Sequence, residues 1–358
     1  MAVRAIGAPS YMSAGHLMKK NIPNRCTIAD VARYAGVSKA TVSRFLNHRD
    51  TLLSPQIAKR VETAIADLGY VPSPMAQALK RGRSRLIGLV VADIANPYSV
   101  AVLRGAEQVC RKAGYLVMLF NLGNEIARET AGLRALSSYQ VEGFILNTMG
   151  HDTGAMLETA THGKPIVLID RQHRGLNVDF ISLDNQHAVK SCVDHLRASG
   201  YRDLVLVTEP LGLVSSRIER ARAFEQYAGG EGRAAGVIES PPDDPDVLLK
   251  ALRTLRRRRG AGRPAIITAN AVITLQVVEA IARLGWQLGE DIGLVGIDDT
   301  PWAPYVGPGI SAMAQPTDRI GELAAKCLLQ RIGGLDDPAR EIRLPGIFMA
   351  RGSTASGI

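Results

Sequence analysis

Cysteine is scarce in this chain of 358 residues, and its four positions lie far apart in the sequence. They are Cys26, Cys110, Cys192 and Cys327. None of them has a neighbour at the short spacing of a redox-active pair or a zinc knuckle, so reduced thiols are expected. The histidines also lack the spacing of zinc ligands, and we expect neither a metal site nor a cofactor.

Long apolar runs are missing as well. No stretch approaches the roughly 18 consecutive apolar residues that cross a bilayer, and residues 1–25 lack the apolar core of a secretory signal. With their glycines and prolines, residues 1–25 are interpreted as a flexible leader without an assigned function. The sequence therefore predicts a cytoplasmic protein that has no membrane partner.

Positive charge is present in excess, and all of the excess lies near the N-terminus. Hydrophobic residues make up 46% and charged residues 22%, as in an ordinary soluble fold, while the formal net charge is +9. Residues 1–85 carry 14 basic and 4 acidic side chains, whereas residues 86–358 carry 29 and 30. A short basic segment attached to a nearly neutral domain indicates a surface for the phosphates of a nucleic acid.

Residues 27–47, TIADVARYAGVSKATVSRFLN, have the pattern of a helix-turn-helix. Thr27 can cap a first helix whose apolar residues recur at the spacing of one helical face. Gly36 then supplies a turn position that tolerates a positive φ, and Ser38 can cap a second helix.

The second helix has an apolar side and a polar arc. Val42 and Phe45 fall on the apolar side. The opposite arc holds Ala40, Ser43, Arg44 and Asn47. Such a helix fits the major groove of B-DNA, where Arg44 can make a bidentate contact with guanine and Lys39 can make a contact near the helix start. Double-stranded DNA is therefore the predicted partner.

Two further segments complete the N-terminal region, whose DNA-binding domain we assign to residues 26–71. A third helix is predicted to begin at Ser54 and Pro55 and to end at Gly69. Residues 72–85 form a linker, in which a short helical stretch preceded by prolines runs into four basic residues. Because so short a helix is marginal in water, we expect it to form only when DNA or a second copy supports it.

Residues 86–354 alternate strand patterns with helical patterns. Apolar runs such as LIGLVV, PIVLID and IGLVGID are typical of parallel strands covered on both faces, and with helices between them they predict a doubly wound α/β fold. Ligands bind beyond the carboxyl ends of such strands, where this sequence places polar residues. These are Asp93, Asn96, Asn147, Asp170, Arg171, Asp184, Asn185, Asn270, Asp298 and Asp299. Carboxylates, amides and a guanidinium suit a sugar or a sugar acid.

Three segments, TIADVARYAGVSKATVSRFLN, LSPQIAKRVETAIADLGYVPSPMAQALKRGRS and IGLVVADIANPYS, resemble the LacI/GalR family of bacterial repressors in order and spacing. The resemblance implies that Lys39, Ala40 and Arg44 read bases and that the linker becomes a hinge helix. It also implies that Leu79 wedges into the minor groove at the centre of a palindromic operator. Since two hinge helices are needed there, a homodimer is expected. The other predicted DNA-binding residues are Thr27, Ser38, Thr41, Ser43, Asn47, Ala76 and Lys80.

The same resemblance implies that the larger domain is similar to periplasmic sugar-binding proteins, with two lobes, three crossover strands and a central cleft. Lobe one would comprise about residues 86–185 and 316–343, and lobe two about residues 186–315 and 344–354. Effector contacts are expected from Tyr98, Asn147, Asp170, Arg171, Arg220, Asn270 and Asp298. Among these, Arg220 and Asp298 are the strongest candidates.

Two positions depart from the usual family pattern. Ala271 follows Asn270 where an aspartate is usual, and Ala223 stands where a glycine is usual. The absence of an aspartate at position 271 favours an anionic ligand, because a pocket that contains Arg220 then has one negative charge fewer. The segments SPMAQALKRGRSRLIGLVVADIANPYSVAVLRGAE and ALSSYQVEGFILNT resemble repressors of 2-ketogluconate utilisation, which makes this sugar acid the predicted effector.

Two other functions stay open at this stage. An effector-dependent activator or a corepressor-dependent regulator would have the same parts with the opposite sign of coupling. An α/β enzyme acting on sugar acids, with a basic appendage, would need a catalytic constellation, and none can be identified in this sequence. We therefore predict a non-enzymatic repressor that its effector releases from DNA.

Overall fold

The computed structural model describes residues 26–47, 53–72, 83–125, 127–149, 154, 163–173, 175–229, 235–241, 244–257 and 263–355. The chain divides into two units between Gly82 and Arg83. The predicted leader, residues 1–25, lies outside the described residues. So do Ala76, Leu79 and Lys80 of the predicted hinge helix.

The described part of the N-terminal unit is helical. It contains α1 (Ile28–Ala35), α2 (Lys39–Asn47) and α3 (Pro55–Asp67), and the predicted third helix is thereby confirmed. Gly36 ends α1 with a φ of 61°, a left-handed conformation that favours glycine and forms the turn into α2. The three helices share one core, formed by Val31, Ala32, Ala35, Val42, Phe45, Val61 and Ala64.

Thr27 begins α1 with a reciprocal capping box. Its hydroxyl accepts the N–H of Asp30 at 3.4 Å, and the Asp30 carboxylate accepts the N–H of Thr27 at 3.0 Å. We expect Thr27→Ala to lower the local free energy of unfolding of α1 by about 1 kcal/mol, because the cap loses its side-chain acceptor. Thr27→Ser should preserve it. Amide hydrogen exchange along α1 in the full-length chain measures the difference, and equal exchange in wild type and the alanine variant would contradict it.

Lobe one is built on a six-stranded sheet whose neighbouring strands are all parallel. Its strands are β1 (Leu86–Val91), β2 (Leu116–Asn121), β3 (Gly143–Leu146), β4 (Ile166–Ile169), β5 (Asp179–Leu183) and β11 (Glu341–Leu344), in the order β11-β5-β4-β3-β1-β2. Its helices are α4 (Pro97–Lys112), α5 (Ala127–Ser138) and α10 (Thr317–Ile332). Two apolar clusters cover the two faces of this sheet, which explains the unbroken apolar runs in the sequence.

Lobe two repeats this design. Its strands are β6 (Tyr201–Thr208), β7 (Ala235–Glu239), β8 (Arg263–Thr268), β9 (Gly293–Ile297), β10 (Ser311–Ala314) and β12 (Ile347–Met349), in the order β12-β10-β9-β8-β6-β7. Only β12 pairs antiparallel among these described strands. Its helices are α6 (Asn185–Ala198), α7 (Ser215–Ala228), α8 (Pro245–Arg257) and α9 (Ala271–Arg283).

Within the described residues the chain passes between the lobes three times, after β5, after β10 and after β11. The predicted fold class, a helix-turn-helix domain followed by two doubly wound lobes, is confirmed. Because every strand of lobe one and five strands of lobe two run parallel, each lobe collects several strand ends at one edge.

Two glycines bring α4 and α10 into backbone contact inside lobe one. A Cβ atom on Gly105 would lie 2.0 Å from the carbonyl oxygen of Asp318, and one on Gly321 would lie 2.1 Å from that of Val102. Asn96 caps α4 through the N–H of Tyr98. Close packing and the cap together fix the first turn of α4, which carries a predicted effector contact.

Candidate functional site

The exposed side of α2 is the candidate DNA-binding face. Lys39, Ala40 and Arg44 are exposed, whereas Val42 and Phe45 are buried in the core of the N-terminal unit. A small side chain between two cations permits close approach to the edges of base pairs. Asn47 is the last residue of α2, and its side chain lies outside the described residues.

Hydroxyl side chains fix the start of α2. Ser38 Oγ accepts the N–H of Thr41 at 3.1 Å and lies 2.9 Å from Thr41 Oγ1. Ser43 is half-buried one turn further along the helix. The predicted contacts Thr27, Ser38 and Thr41 therefore already have intramolecular partners, which hold the first turns of α1 and α2 in place.

A cavity of about 140 Å³ opens between the two lobes. It lies at the strand ends, because Asn147 follows β3, Asp170 follows β4 and Asp298 follows β9. Helices α4, α7 and α9 reach it with their first turns. All seven predicted effector contacts line it: Tyr98, Asn147, Asp170, Arg171, Arg220, Asn270 and Asp298. The structure thus brings together residues that are up to two hundred positions apart in sequence.

Asp170 connects the two lobes inside the cavity. Its carboxylate accepts hydrogen bonds from Asn147 Nδ2 at 3.4 Å in lobe one and from Ser216 Oγ at 3.2 Å in lobe two. Arg171 Nε lies 3.4 Å and Arg220 Nη2 lies 3.5 Å from the same carboxylate. Its φ of +60° is a strained conformation for this residue type and aims the side chain. A single carboxylate therefore faces two guanidinium groups.

Asp298 is the second strained aspartate of the cavity, with a φ of +83°. Its carboxylate accepts hydrogen bonds from the N–H of Ala271 at 3.1 Å and from Gln315 Nε2 at 2.7 Å. Burial raises the pKa of the Asp298 carboxyl above its ordinary value, and Arg220 acts in the opposite direction. This carboxyl consequently holds its negative charge less firmly than an exposed one.

Arg220 is almost enclosed. Its Nε donates to Asn185 Oδ1 at 2.7 Å, and its Nη1 donates to the carbonyl oxygen of Ala269. Its Nη2 makes no hydrogen bond with the described residues. Three other buried atoms of the cavity are in the same state: Tyr98 Oη, Arg171 Nε and Gln315 Oε1. Because buried polar groups are normally satisfied, these four atoms are available to a ligand or to water in the cavity.

Sequence reasoning missed the pair formed by Arg217 and Glu209. Arg217 Nη2 lies 2.8 Å from Glu209 Oε1, both residues are buried, and Glu209 also accepts from Asn270 Nδ2 at 2.6 Å. Burial lowers the pKa of the Arg217 guanidinium, and the nearby Glu209 opposes this shift. Glu209 follows a predicted strand and Arg217 precedes Arg220 by one helical turn, so the strand-exit and helix-face rules would have found both. Asp93 and Asn96, which the sequence analysis named as strand-end residues but not as effector contacts, also line the cavity. The other lining residues, which were not predicted, are Ala92, Ser99, Asn124, Ser216, Val272, Gln276 and Gln315.

The described residues contain no group of three His, Cys, Asp or Glu side chains that could hold a metal ion. No helix among them combines the length and apolar character needed to cross a membrane.

A helix-turn-helix unit with an exposed cationic helix, followed by two lobes around a polar cavity, defines the class of ligand-responsive DNA-binding regulators. Residues 27–73 match the family described as "Bacterial regulatory proteins, lacI family", and residues 193–354 match "Periplasmic binding protein-like domain". The chain belongs to the lacI family and is a DNA-binding transcriptional repressor. The resemblance recognised in the sequence is confirmed.

Curated relatives cover nearly the whole chain. The HTH-type transcriptional regulator PtxS of Pseudomonas plecoglossicida is 46% identical over 331 residues, which is 92% of this chain and 96% of that protein. The HTH-type transcriptional regulator KdgR of Bacillus subtilis is 38% identical over 339 residues, covering 94% of this chain and 100% of that protein. The ribose operon repressor of Escherichia coli is 30% identical over 337 residues, covering 91% and 99%.

Solved structures share the architecture. The Lac repressor dimer bound to operator and the anti-inducer ONPF has a TM-score of 0.78 at 25% identity, covering 93% of this chain and 100% of that one. The complex of the transcriptional regulator CelR with cellobiose has a TM-score of 0.65 at 25% identity, covering 92% and 100%.

Proposed function

We propose that a homodimer of this repressor holds a palindromic operator in the cytoplasm and leaves it when 2-ketogluconate binds between the lobes. The observation that carries the proposal is the set of four buried cavity atoms without hydrogen bonds. They are Tyr98 Oη, Arg171 Nε, Arg220 Nη2 and Gln315 Oε1.

The chemistry of these atoms selects a ligand that is rich in acceptors. Arg171 Nε and Arg220 Nη2 can only donate, and the hydroxyl of Tyr98 can donate as well. The carboxylate and ketone oxygens of 2-ketogluconate supply the acceptors that these groups need. Its hydroxyls can in turn donate to Gln315 Oε1 and to the carboxylate of Asp298.

The guanidinium groups of the cavity favour an acidic ligand by their placement. Arg171 and Arg220 both approach the carboxylate of Asp170, at 3.4 Å and 3.5 Å, and the pKa of Asp298, which burial raises, is lowered by Arg220. A ligand carboxylate can accept hydrogen bonds from both guanidinium groups in a site where burial strengthens every electrostatic interaction.

For operator binding we propose that α2 enters the major groove. Lys39, Ala40 and Arg44 then face the bases, while the basic residues of the linker sequence add attraction to the phosphates. Two copies are needed to read a palindrome. Apolar side chains are exposed on both lobes of this chain, among them Leu116 and Leu119 on the edge strand β2 and Leu275 and Tyr305 in lobe two.

The experiment is a titration of the protein against labelled DNA from the region upstream of its own gene. Binding is followed by gel shift or fluorescence anisotropy at fixed ionic strength, with random DNA as competitor. The panel consists of 2-ketogluconate, gluconate and the neutral sugars glucose and ribose. We expect tight binding that 2-ketogluconate relieves and neutral sugars do not, and weaker binding to an operator with one half-site scrambled.

The outcomes separate the possible functions. Failure to prefer any upstream fragment over random DNA would contradict operator binding. Tighter binding in the presence of 2-ketogluconate would reveal corepression, the opposite sign of coupling. Release by a neutral sugar without any response to sugar acids would overturn the proposed effector.

A further inference from the structure

One ion pair joins the two lobes away from the cavity. Glu219 lies on α7 of lobe two, and Arg343 lies on β11 of lobe one. Arg343 Nη1 lies 2.8 Å from Glu219 Oε2, and Nη2 lies 3.0 Å from Oε1, which is a bidentate arrangement. The Arg343 guanidinium also stacks over the ring of Phe180 and donates to Ser182 Oγ at 3.3 Å. Contacts with lobe one therefore fix the orientation of the Arg343 guanidinium, and Glu219 of lobe two binds it in that orientation.

Asn185 connects this ion pair to the cavity. Its Nδ2 donates to Glu219 Oε2 at 2.7 Å, and its Oδ1 accepts from Arg220 Nε at 2.7 Å. Only 1% of Asn185 is exposed, and it is the first residue of α6, directly after the chain has crossed between the lobes. Because the donor and the acceptor of its amide are both engaged, the side chain has one orientation that serves both partners.

Two neighbouring residues on α7 therefore contact different parts of the molecule. Glu219 and Arg220 project about 100° apart around the helix, so one side chain faces the other lobe while the other faces the cavity. Asn185 forms a hydrogen bond with each of these two side chains. The result is an unbroken line of contacts of 2.7 to 3.0 Å from Arg220 through Asn185 and Glu219 to Arg343.

We infer that Asn185 is a positioning residue and that the Arg220–Asn185–Glu219–Arg343 line couples effector binding to the angle between the lobes. The inference rests on the proposed function, since it takes Arg220 as an effector contact. When a ligand draws the Arg220 guanidinium into the cavity, Asn185 and then Glu219 must adjust, and the interlobe ion pair is repositioned. Removing a link leaves the ligand site in place but weakens the signal to the DNA-binding unit.

Two near-isosteric variants of the full-length protein test this line. Glu219→Gln removes the lobe-two charge that pairs with Arg343, while Glu341 of lobe one still pairs with Arg343 at 2.8 Å. Asn185→Asp keeps an acceptor for Arg220 and replaces the donor to Glu219 by a repelling oxygen. Asp318→Asn is the matched control, because Asp318 makes an equally bidentate pair with Arg104, at 2.6 Å for both contacts, inside lobe one. The measured quantities are the 2-ketogluconate affinity by calorimetry and the operator affinity with and without saturating 2-ketogluconate.

We expect the ratio of operator affinity without 2-ketogluconate to operator affinity with it to fall by about tenfold in each variant. This change is within the usual range of coupling between sites. The 2-ketogluconate affinity of Glu219→Gln should change by no more than about threefold, because the four unsatisfied cavity atoms are retained. Asn185→Asp should lower that affinity further, since it places a carboxylate beside Arg220. The double variant should lose no more than the stronger single variant, since both changes interrupt the same line. Asp318→Asn should behave as wild type. A wild-type ratio in Glu219→Gln, or losses that add in the double variant, would overturn the inference.

A ligand-free measurement separates this inference from the identity of the effector. Amide hydrogen exchange of β11 is compared in wild type, Asn185→Asp and Asp318→Asn without any sugar. Among the described residues the Asn185 side chain hydrogen-bonds to Arg220 and Glu219 and reaches β11 through Glu219, so faster exchange of residues 341–344 in Asn185→Asp alone supports the line of contacts. Unchanged exchange there would refute it. If wild type ignores 2-ketogluconate while this exchange result holds, the proposed effector is wrong and the coupling line stands.

Discussion

Arg220→Ala is expected to abolish release from the operator by 2-ketogluconate while operator affinity without ligand stays at the wild-type value. Arg220 supplies one of the unsatisfied donors of the cavity and half of the cationic pair around Asp170. Truncating one partner of a buried, hydrogen-bonded charge pair costs about 2–5 kcal/mol of binding free energy, which corresponds to a loss of ligand affinity beyond about thirtyfold. Operator binding should persist because α2 belongs to the separate N-terminal unit.

The matched control for this prediction lies on the same helix. Arg222 is exposed on α7 and does not line the cavity, so Arg222→Ala should respond to 2-ketogluconate as wild type does. Arg220→Lys retains the charge with fewer donors in a different geometry, and it should bind the ligand more tightly than Arg220→Ala but less tightly than wild type. The measurement is operator affinity against 2-ketogluconate concentration. Full release of the Arg220→Ala variant from the operator, at the 2-ketogluconate concentrations that release wild type, would mean that the effector binds elsewhere.

Helix α7 shows which features of the site could not be predicted from the sequence. Its segment, SSRIERARAFEQYA, offers three arginines and two glutamates, and only packing decides which of them face the cavity. Arg220 could be singled out through the family resemblance, whereas the ion pair between Arg217 and Glu209 was recognised only in the fold, although both residues obey the strand-exit and helix-face rules. Periodicity identifies a face of a helix, but it cannot say which neighbouring lobe covers that face.

The strand ends were more predictable, for a physical reason. Parallel strands deliver their carboxyl ends to one edge of a sheet, so Asn147 and Asp170 had to lie near one another once the strands of lobe one were recognised. Asp298 follows a strand of the other sheet, and it joins them because both lobes line the cavity. Their geometry was not predictable. The positive φ values of Asp170 and Asp298, which turn both carboxylates into the cavity, leave no trace in residue type, because aspartate at a strand end usually serves a turn. Gln315 was also missed, since it lies on a crossing between lobes and not at a strand end that the sequence marks.

Arg44→Ala is expected to weaken operator binding by about 1–3 kcal/mol and to relax the preference at one base pair in each half-site. The reason is geometric: α2 buries Val42 and Phe45, which leaves Arg44 exposed beside the small Ala40, where a guanidinium can reach the O6 and N7 acceptors of guanine. Lys39→Ala, which removes a charge at the start of the helix, should have a milder effect and reduce the salt dependence of binding.

Fluorescence anisotropy with the operator and with single-base-pair variants of it measures both quantities. Lys59→Ala is the control, because Lys59 is an exposed cation on α3 of the same unit and outside the predicted reading face. A general electrostatic role for Arg44 would weaken binding to every sequence equally and leave the base preference intact. Loss of preference at a single base pair requires a contact with that pair, so this pattern, together with an unaffected Lys59→Ala variant, distinguishes base reading from charge alone.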